Sequence, residues 1–186
     1  MKSAAVFLID HFEETEALTT VDILRRGGVE VTTVSLMGGL EVTGSHNVTV
    51  KADAMFGDAR DKPFDMLVIP GGTRDYATHS GLMEWAKKWA AEGKLLAAIC
   101  AAPTVLAEIG VLKGRTAVCY PTMEDWLKDS TIGKNIVETD GNITTAKGPA
   151  VTPFFALRLL EILCGRAKAE EVAKAFLIPL IKDASF

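Results

Sequence analysis

Short, unbroken apolar runs recur along the chain, and most are followed by a segment whose apolar residues return at helical spacing. Residues 4–9, AAVFLI, have the pattern of a strand buried on both faces. A helix follows, with Glu13, Glu14 and Glu16 suited to its N-terminal dipole and Ala17, Leu18, Val21 and Leu24 on one face. Arg25 and Arg26 fall in its last turn, and Gly27-Gly28 stops it. Residues 29–36 read as a second strand. Residues 40–52 alternate with turn signals and read as a hairpin or edge strands. The run DMLVI at 65–69 predicts another buried strand, ended by Pro70-Gly71-Gly72, and a helix is predicted from about 80 to 92. LLAAI at 95–99 runs directly into Cys100 and a helix over 102–109, with a further short strand at Val118. IVET and NITTA predict a hairpin about Asp140-Gly141. Thr152 reads as the N-cap of a helix with Pro153 at its first position. That helix is apolar on almost every face to Leu163, as buried helices are, and stops at Gly165. Another helix begins near Ala167.

Strands alternating with helices imply an α/β fold with a mainly parallel sheet and helices on both faces. The chain has 186 residues and no linker, repeat or low-complexity stretch, so residues 1–186 read as one domain. A chain of this length buries about two-thirds of its unfolded surface and needs no disulfide or metal staple. The net charge of −4 with scattered Lys and Arg argues against a nucleic-acid partner. The first apolar run is shorter than a secretory h-region or a membrane span, so a soluble, cytoplasmic protein is expected. Three widely spaced cysteines, Cys100, Cys119 and Cys164, form neither a disulfide framework nor a zinc motif, which suits a reducing compartment.

Cys100 carries the strongest chemical signal. It ends an apolar strand and precedes Ala101, Ala102 and Pro103 at the start of a helix. Open parallel sheets place ligands at the carboxyl ends of their strands. The arrangement resembles a nucleophile elbow with cysteine in place of serine. A helix N-terminus favours thiolate, so a lowered thiol pKa is expected. Position alone leaves a second reading equally open, in which Cys100 is a small buried hydrophobe.

The segment EETEALTTVDILRRGG, the loop IPGG, the elbow AAICAAPTVLAEIG and the late TTAKGP decide between them. Together they resemble the ThiJ/PfpI superfamily, and most closely its Parkinson-disease-protein (DJ-one) branch. The motifs are in family order from about residue 4 to residue 178. The resemblance implies a three-layer, flavodoxin-like sandwich of the class I glutamine amidotransferase type, and a homodimer with the first helix near its interface. It makes Cys100 the reactive thiol and Glu16 a protonated carboxylic acid that donates a hydrogen bond to the thiolate. It pairs the Gly72 and Ala101 amides as oxyanion-type donors and places Gly148 and Pro149 along the pocket.

The departures from the family pattern bear on chemistry. Tyr120 stands where the human branch has a histidine, and a neutral tyrosine is a poor base at pH 7. Ala101 stands where protease members have a histidine after the cysteine, which removes their general base. Thr73 replaces an asparagine, and His46 falls at an arginine position of some relatives. His11 is close enough in sequence to the first strand to line the pocket, though a loop position is the simpler reading. His79 reads as a surface residue. Cys119, beside Tyr120, reads as structural with some claim to redox relevance, and Cys164 as core packing without a charged neighbour. Trp85 and Trp89 read as anchors of a helix on the sheet. No metal site or cofactor is expected.

Three functions follow from these expectations. The first is a cofactor-independent, cysteine-dependent enzyme acting on small aldehydes or dicarbonyls such as methylglyoxal (glyoxalase-like), or on their protein adducts (deglycase-like). The second is a redox sensor or redox-regulated chaperone in which Cys100 is oxidised to sulfinate. The third, a peptidase or amidase, is disfavoured by Ala101 and Tyr120.

Overall fold

The alternation of strand residues fixes how the sheet is covered. In β1 (Ser3–Leu8), Ala4, Val6 and Leu8 pack into one apolar cluster while Ala5 and Phe7 pack into another on the opposite face. Both sets are almost fully buried, which is why the run shows no polar alternation. The computed structural model describes residues 1–60 and 62–183. After β1 come α1 (Glu14–Arg26), β2 (Glu30–Ser35), a hairpin of β3 (Glu41–Thr43) and β4 (Thr49–Lys51), β5 (Ala54–Met55) and the one-turn α2 (Phe56–Ala59). The chain continues through β6 (Met66–Ile69), α3 (Ser80–Ala91), β7 (Leu95–Ile99), α4 (Ala102–Glu108), β8 (Thr116–Ala117) and β9 (Thr131–Ile132). It ends with the hairpin β10 (Val137–Asp140) and β11 (Ile143–Ala146), then α5 (Thr152–Cys164) and α6 (Arg166–Ala175).

Among the described residues, seven strands form the main sheet in the order β10-β11-β7-β6-β1-β2-β5. All pair in parallel except β10, which runs antiparallel to β11 at one edge. Helices α1, α5 and α6 cover one face, and α3 and α4 the other. This is the mainly parallel α/β sandwich that the alternating pattern predicts and the flavodoxin-like fold that the resemblance implies. Trp85 and Trp89 anchor α3 as expected. Trp85 meets Phe7 edge-on at 5.7 Å, and Trp89 Nε1 donates to the Leu95 carbonyl at 2.9 Å. Among the described residues no helix is long and apolar enough to cross a membrane.

Two local expectations are corrected. Thr152 is not an N-cap. A 3-10 turn over Pro149–Val151 runs straight into α5, so Val151 takes the cap position without a side-chain bond, and the Thr152 hydroxyl is buried and unpartnered among the described residues. The short strand expected at Val118 lies just before it, at Thr116–Ala117, while the Val118 amide donates instead to the Thr145 hydroxyl.

Candidate active site

β1, β6, β7 and β11 end at the same edge of the sheet, and the loops leaving them bring the chemistry together. Cys100 leaves β7 with φ of 65°, the left-handed region that side chains with a Cβ avoid. Such a position costs about 1–3 kcal/mol and persists only where its surroundings hold it. Here the Cys100 amide donates to the Ala146 carbonyl at 2.9 Å, and its carbonyl accepts from the Tyr120 amide at 2.8 Å. Ala101 follows in helical conformation, with Pro103 in the first turn of α4. The elbow expected from the sequence is therefore formed, with Cys100 9% exposed.

Glu16 lies in the first turn of α1 and is fully buried. Its amide donates to Glu13 Oε2 at 2.7 Å, so Glu13 caps the helix. Its carboxyl Oε2 accepts from the Gly71 amide at 2.8 Å. The other oxygen, Oε1, is buried with no aligned hydrogen bond among the described residues. The Cys100 thiol and this carboxyl interact, and the protonation of each group depends on the other. Gly71 is what lets the three approach: a Cβ there would lie 2.5 Å from Cys100 Cβ and 2.7 Å from Glu16 Oε2.

Burial pushes the Glu16 carboxyl up to about 7, against the Cys100 thiol and the Gly71 amide, which favour its charged form. Burial, the Glu16 charge and the Glu16 hydrogen bond push the Cys100 thiol up to about 12. The Gly72 and Ala101 amides pull it the other way. The lowered thiol expected from a helix N-terminus is thus corrected: the two amides act in the expected direction, but burial beside a carboxylate outweighs them. The pair accommodates one negative charge near neutral pH, and a second only in strong alkali. A carboxyl poised near 7 is well matched to accept and return a proton.

A profile of the DJ-1/PfpI family matches residues 2–162. The chain belongs to the DJ-1/PfpI family. Protein dj-1beta of Drosophila melanogaster is 38% identical over 182 residues, covering 95% of this chain and 97% of the relative. A deglycase from Pyrococcus abyssi is 34% identical over 144 residues, covering 75% of this chain and 86% of that protein. The solved structure of oxidized DJ-1 from Toxoplasma gondii superposes with a TM-score of 0.92 at 34% identity, covering 95% and 98% of the two chains.

Within this DJ-1/PfpI site the residues expected at the pocket divide. Tyr120 is tied to Cys100 through the backbone, is 45% exposed, and packs its ring against Gly148, where a Cβ would meet it at 3.2 Å. Pro149 begins the turn that follows. These three therefore border the elbow. His11 does so only by its backbone: its carbonyl packs against Gly72, while the exposed residue lines a separate depression with Leu36, Met37, Asp75 and His79. His46 sits on the β3–β4 loop, bound to Glu14. Cys119 and Cys100 belong to apolar clusters on opposite faces of the sheet, and burial and Glu124 push the Cys119 thiol up to about 12. Cys164 is half-buried at the end of α5 and packs against the apolar cluster on the α1 face, as expected.

Two participants escape a sequence reading. Glu14 looks like one more acid favouring the helix dipole, yet it is buried and receives the His46 amide at 2.7 Å and His46 Nδ1 at 2.9 Å. Three acids within four residues are more than a helix dipole needs, and that excess is the available signal. Glu13, Glu14 and His46 do bring potential ligand atoms within 4.8 Å, but those atoms already serve as the helix cap and the hairpin anchor. Gly71 reads with Gly72 as a turn, and its steric part is visible only in three dimensions.

Proposed function

We propose that the chain is a cofactor-independent enzyme acting on small dicarbonyls such as methylglyoxal, or on their adducts with proteins. The observation that carries this reading is the contact of a strained elbow thiol, Cys100, with a buried carboxyl poised near neutrality, Glu16, under the Gly72 and Ala101 amides. The kinship with a named deglycase supports the same class of substrate.

Cys100 Sγ adds to the aldehyde carbon while its proton passes to the Glu16 carboxylate. The carbonyl oxygen gains the negative charge, held by the two amides, and is then protonated to a hemithioacetal. Glu16, again ionised, removes the hydrogen from the former aldehyde carbon, and a proton is delivered to the neighbouring carbonyl carbon. The result is a 2-hydroxy thioester. Water hydrolyses it to the 2-hydroxy acid and frees the thiol, so the balance is dicarbonyl plus water to hydroxy acid. A protein adduct uses the same pair, with the amine or thiol of the client as leaving group.

A second reading rests on Glu16 Oε1, which is buried without a hydrogen bond among the described residues, on the carboxyl that interacts with the Cys100 thiol. Peroxide oxidation of Cys100 to sulfinate places acceptor oxygens there, and a protonated Glu16 donates to one of them. The relative solved in an oxidized form supports this alternative. The peptidase reading gains no support, because the three histidines, His11, His46 and His79, serve elsewhere or are exposed.

Proton NMR of methylglyoxal with substoichiometric protein in amine-free buffer separates the readings. Many turnovers to lactate, abolished in Cys100→Ser, are expected. Consumption of no more than one equivalent sinks the enzymatic reading for this substrate and leaves the oxidation reading in front.

A further inference from the structure

The Gly72 and Ala101 amides, which favour the Cys100 thiolate, come from different loops, and something must hold those loops in register. Gly72 lies in the loop after β6, with φ of 92° and no helix or strand of its own. Ala101 lies in the elbow after β7. From below, Glu16 holds the first loop through Gly71. From above, Arg74 reaches across to α4. Its Nε donates to the Thr104 hydroxyl at 3.0 Å, and its Nη2 pairs with Glu108. Thr104 and Glu108 are four residues apart, so they share one face of α4 and present two acceptors to one planar fork. Thr104 in turn donates its hydroxyl to the Ala101 carbonyl at 2.6 Å.

The flat face of the guanidinium is also fixed. Its carbon lies 3.7 Å from the centre of the Trp126 ring, in the 3-10 turn that follows Tyr120. Arg74 therefore joins three segments that border the thiol: the Gly72 loop, the Ala101 elbow and the Tyr120 segment. Its charge is paired with Glu108, and its Nε and Nη2 are engaged away from the sulfur. That makes geometry, rather than a free positive charge, its contribution.

We propose that Arg74 is a positioning residue for the Cys100 site, locking the Gly72 loop to α4 through Thr104 so that both backbone N–H groups stay aimed at the sulfur. Loss of this tie lets one amide swing away, and thiolate then loses a donor. A lysine keeps the charge but offers neither the fork nor the flat stacking face.

The test reads the thiol itself and so does not depend on which substrate the protein uses. Iodoacetamide alkylation of Cys100 is followed by mass spectrometry across pH, beside thermal melting, in Arg74→Met, Arg74→Lys, Thr104→Val and Thr104→Ser. Arg74→Met and Thr104→Val are each expected to slow alkylation near neutral pH about tenfold and to raise its pH midpoint, as misplacing a preorganised donor does. Arg74→Lys is expected to stay slow, and Thr104→Ser, which retains the hydroxyl, to recover the wild-type profile. Restoration by Arg74→Lys would show that charge alone matters and overturns the proposal. So does a lowered melting temperature in Arg74→Met and Thr104→Val with an unchanged alkylation midpoint, since that is what a purely structural role produces. Thr104→Val leaves the Arg74 side chain in place and keeps the proposal testable if Arg74→Met fails to fold.

Discussion

Gly71 and Cys100 approach so closely that no side chain fits between them: a Cβ on Gly71 would stand 2.5 Å from Cys100 Cβ. The same Cβ would crowd the Glu16 oxygen that the Gly71 amide holds. Gly71→Ala is therefore expected to push the elbow and Glu16 apart. Overpacking of this kind costs about 1–3 kcal/mol, and because Glu16 helps to hold the thiol high, Cys100 alkylation near neutral pH should rise as the carboxyl is pushed away. Chemical denaturation and alkylation kinetics on one preparation check both. Wild-type reactivity in Gly71→Ala would mean that the close approach has no part in setting the reactivity of the thiol.

Glu16 contributes two of the three causes that hold the Cys100 thiol high. Glu16→Gln removes the charge and the ionisable proton acceptor but keeps a hydrogen-bonding group. The thiol is then expected to titrate in a single step well below about 12, the position it has beside the carboxylate. The step that the wild-type pair shows near 7, from Glu16, disappears as an independent event. Thiolate absorbance against pH, with Cys100→Ser as the blank, reads the thiol titration, and the infrared carboxyl band against pH reads the loss of the Glu16 step. An unmoved high titration in Glu16→Gln would place the cause in burial alone. In the proposed chemistry, turnover of methylglyoxal should fall at least about a hundredfold in the same variant, the scale of general acid–base catalysis.

How much of this is legible in the sequence depends on distance along the chain. The β7 run, Cys100 and the start of α4 are contiguous, so the elbow can be read directly. The parallel sheet with helices on both faces also follows from alternation of strand and helix. Glu16 comes to stand beside Cys100 only through family likeness, because 84 positions separate them and no local pattern joins them. Glu14 and His46 meet only because β3 and β4 fold back over the start of α1. The Arg74 tie to Thr104 spans 30 positions, and its partner Trp126 lies in a 3-10 turn with no apolar period to announce it. The thiol pKa is misread for a physical reason: sequence shows the helix N-terminus that lowers it, but not the depth of burial or the carboxylate that raise it.

The Glu14–His46 pair makes the β3–β4 hairpin sensitive to pH from both sides. Burial alone would raise Glu14, but the His46 side chain and the backbone amides it accepts bring it from 4.5 down to about 2. Its contribution is therefore complete above about 4.5 and is lost as pH falls through about 2. Glu14 raises His46 above its ordinary 6.5, so that contribution is complete below about 6.5 and is lost as pH rises through the higher folded value. The His46 amide should be best protected from hydrogen exchange between these limits, after correction for the intrinsic rate. Glu14→Gln should flatten the profile. Protection that is already flat in the wild type would show that the hairpin is held by its strand pairing instead.

Tyr120 supplies the last test, because it occupies the place where a histidine base is otherwise expected. Its amide binds the Cys100 carbonyl at 2.8 Å, its ring lies on Gly148, and its hydroxyl makes no hydrogen bond among the described residues. The backbone bond survives any substitution except proline, so the side chain contributes shape to the rim. Glu16 is the proton carrier in the proposed chemistry, and Tyr120→Phe should leave kcat within about twofold, since deleting a group outside the proton path leaves the transition state unchanged. Tyr120→Ala opens the rim above Gly148 and should raise KM while kcat changes little, the signature of lost uniform binding. A large fall in kcat for Tyr120→Phe, with the fold intact by circular dichroism, would move the general acid from Glu16 to the phenol.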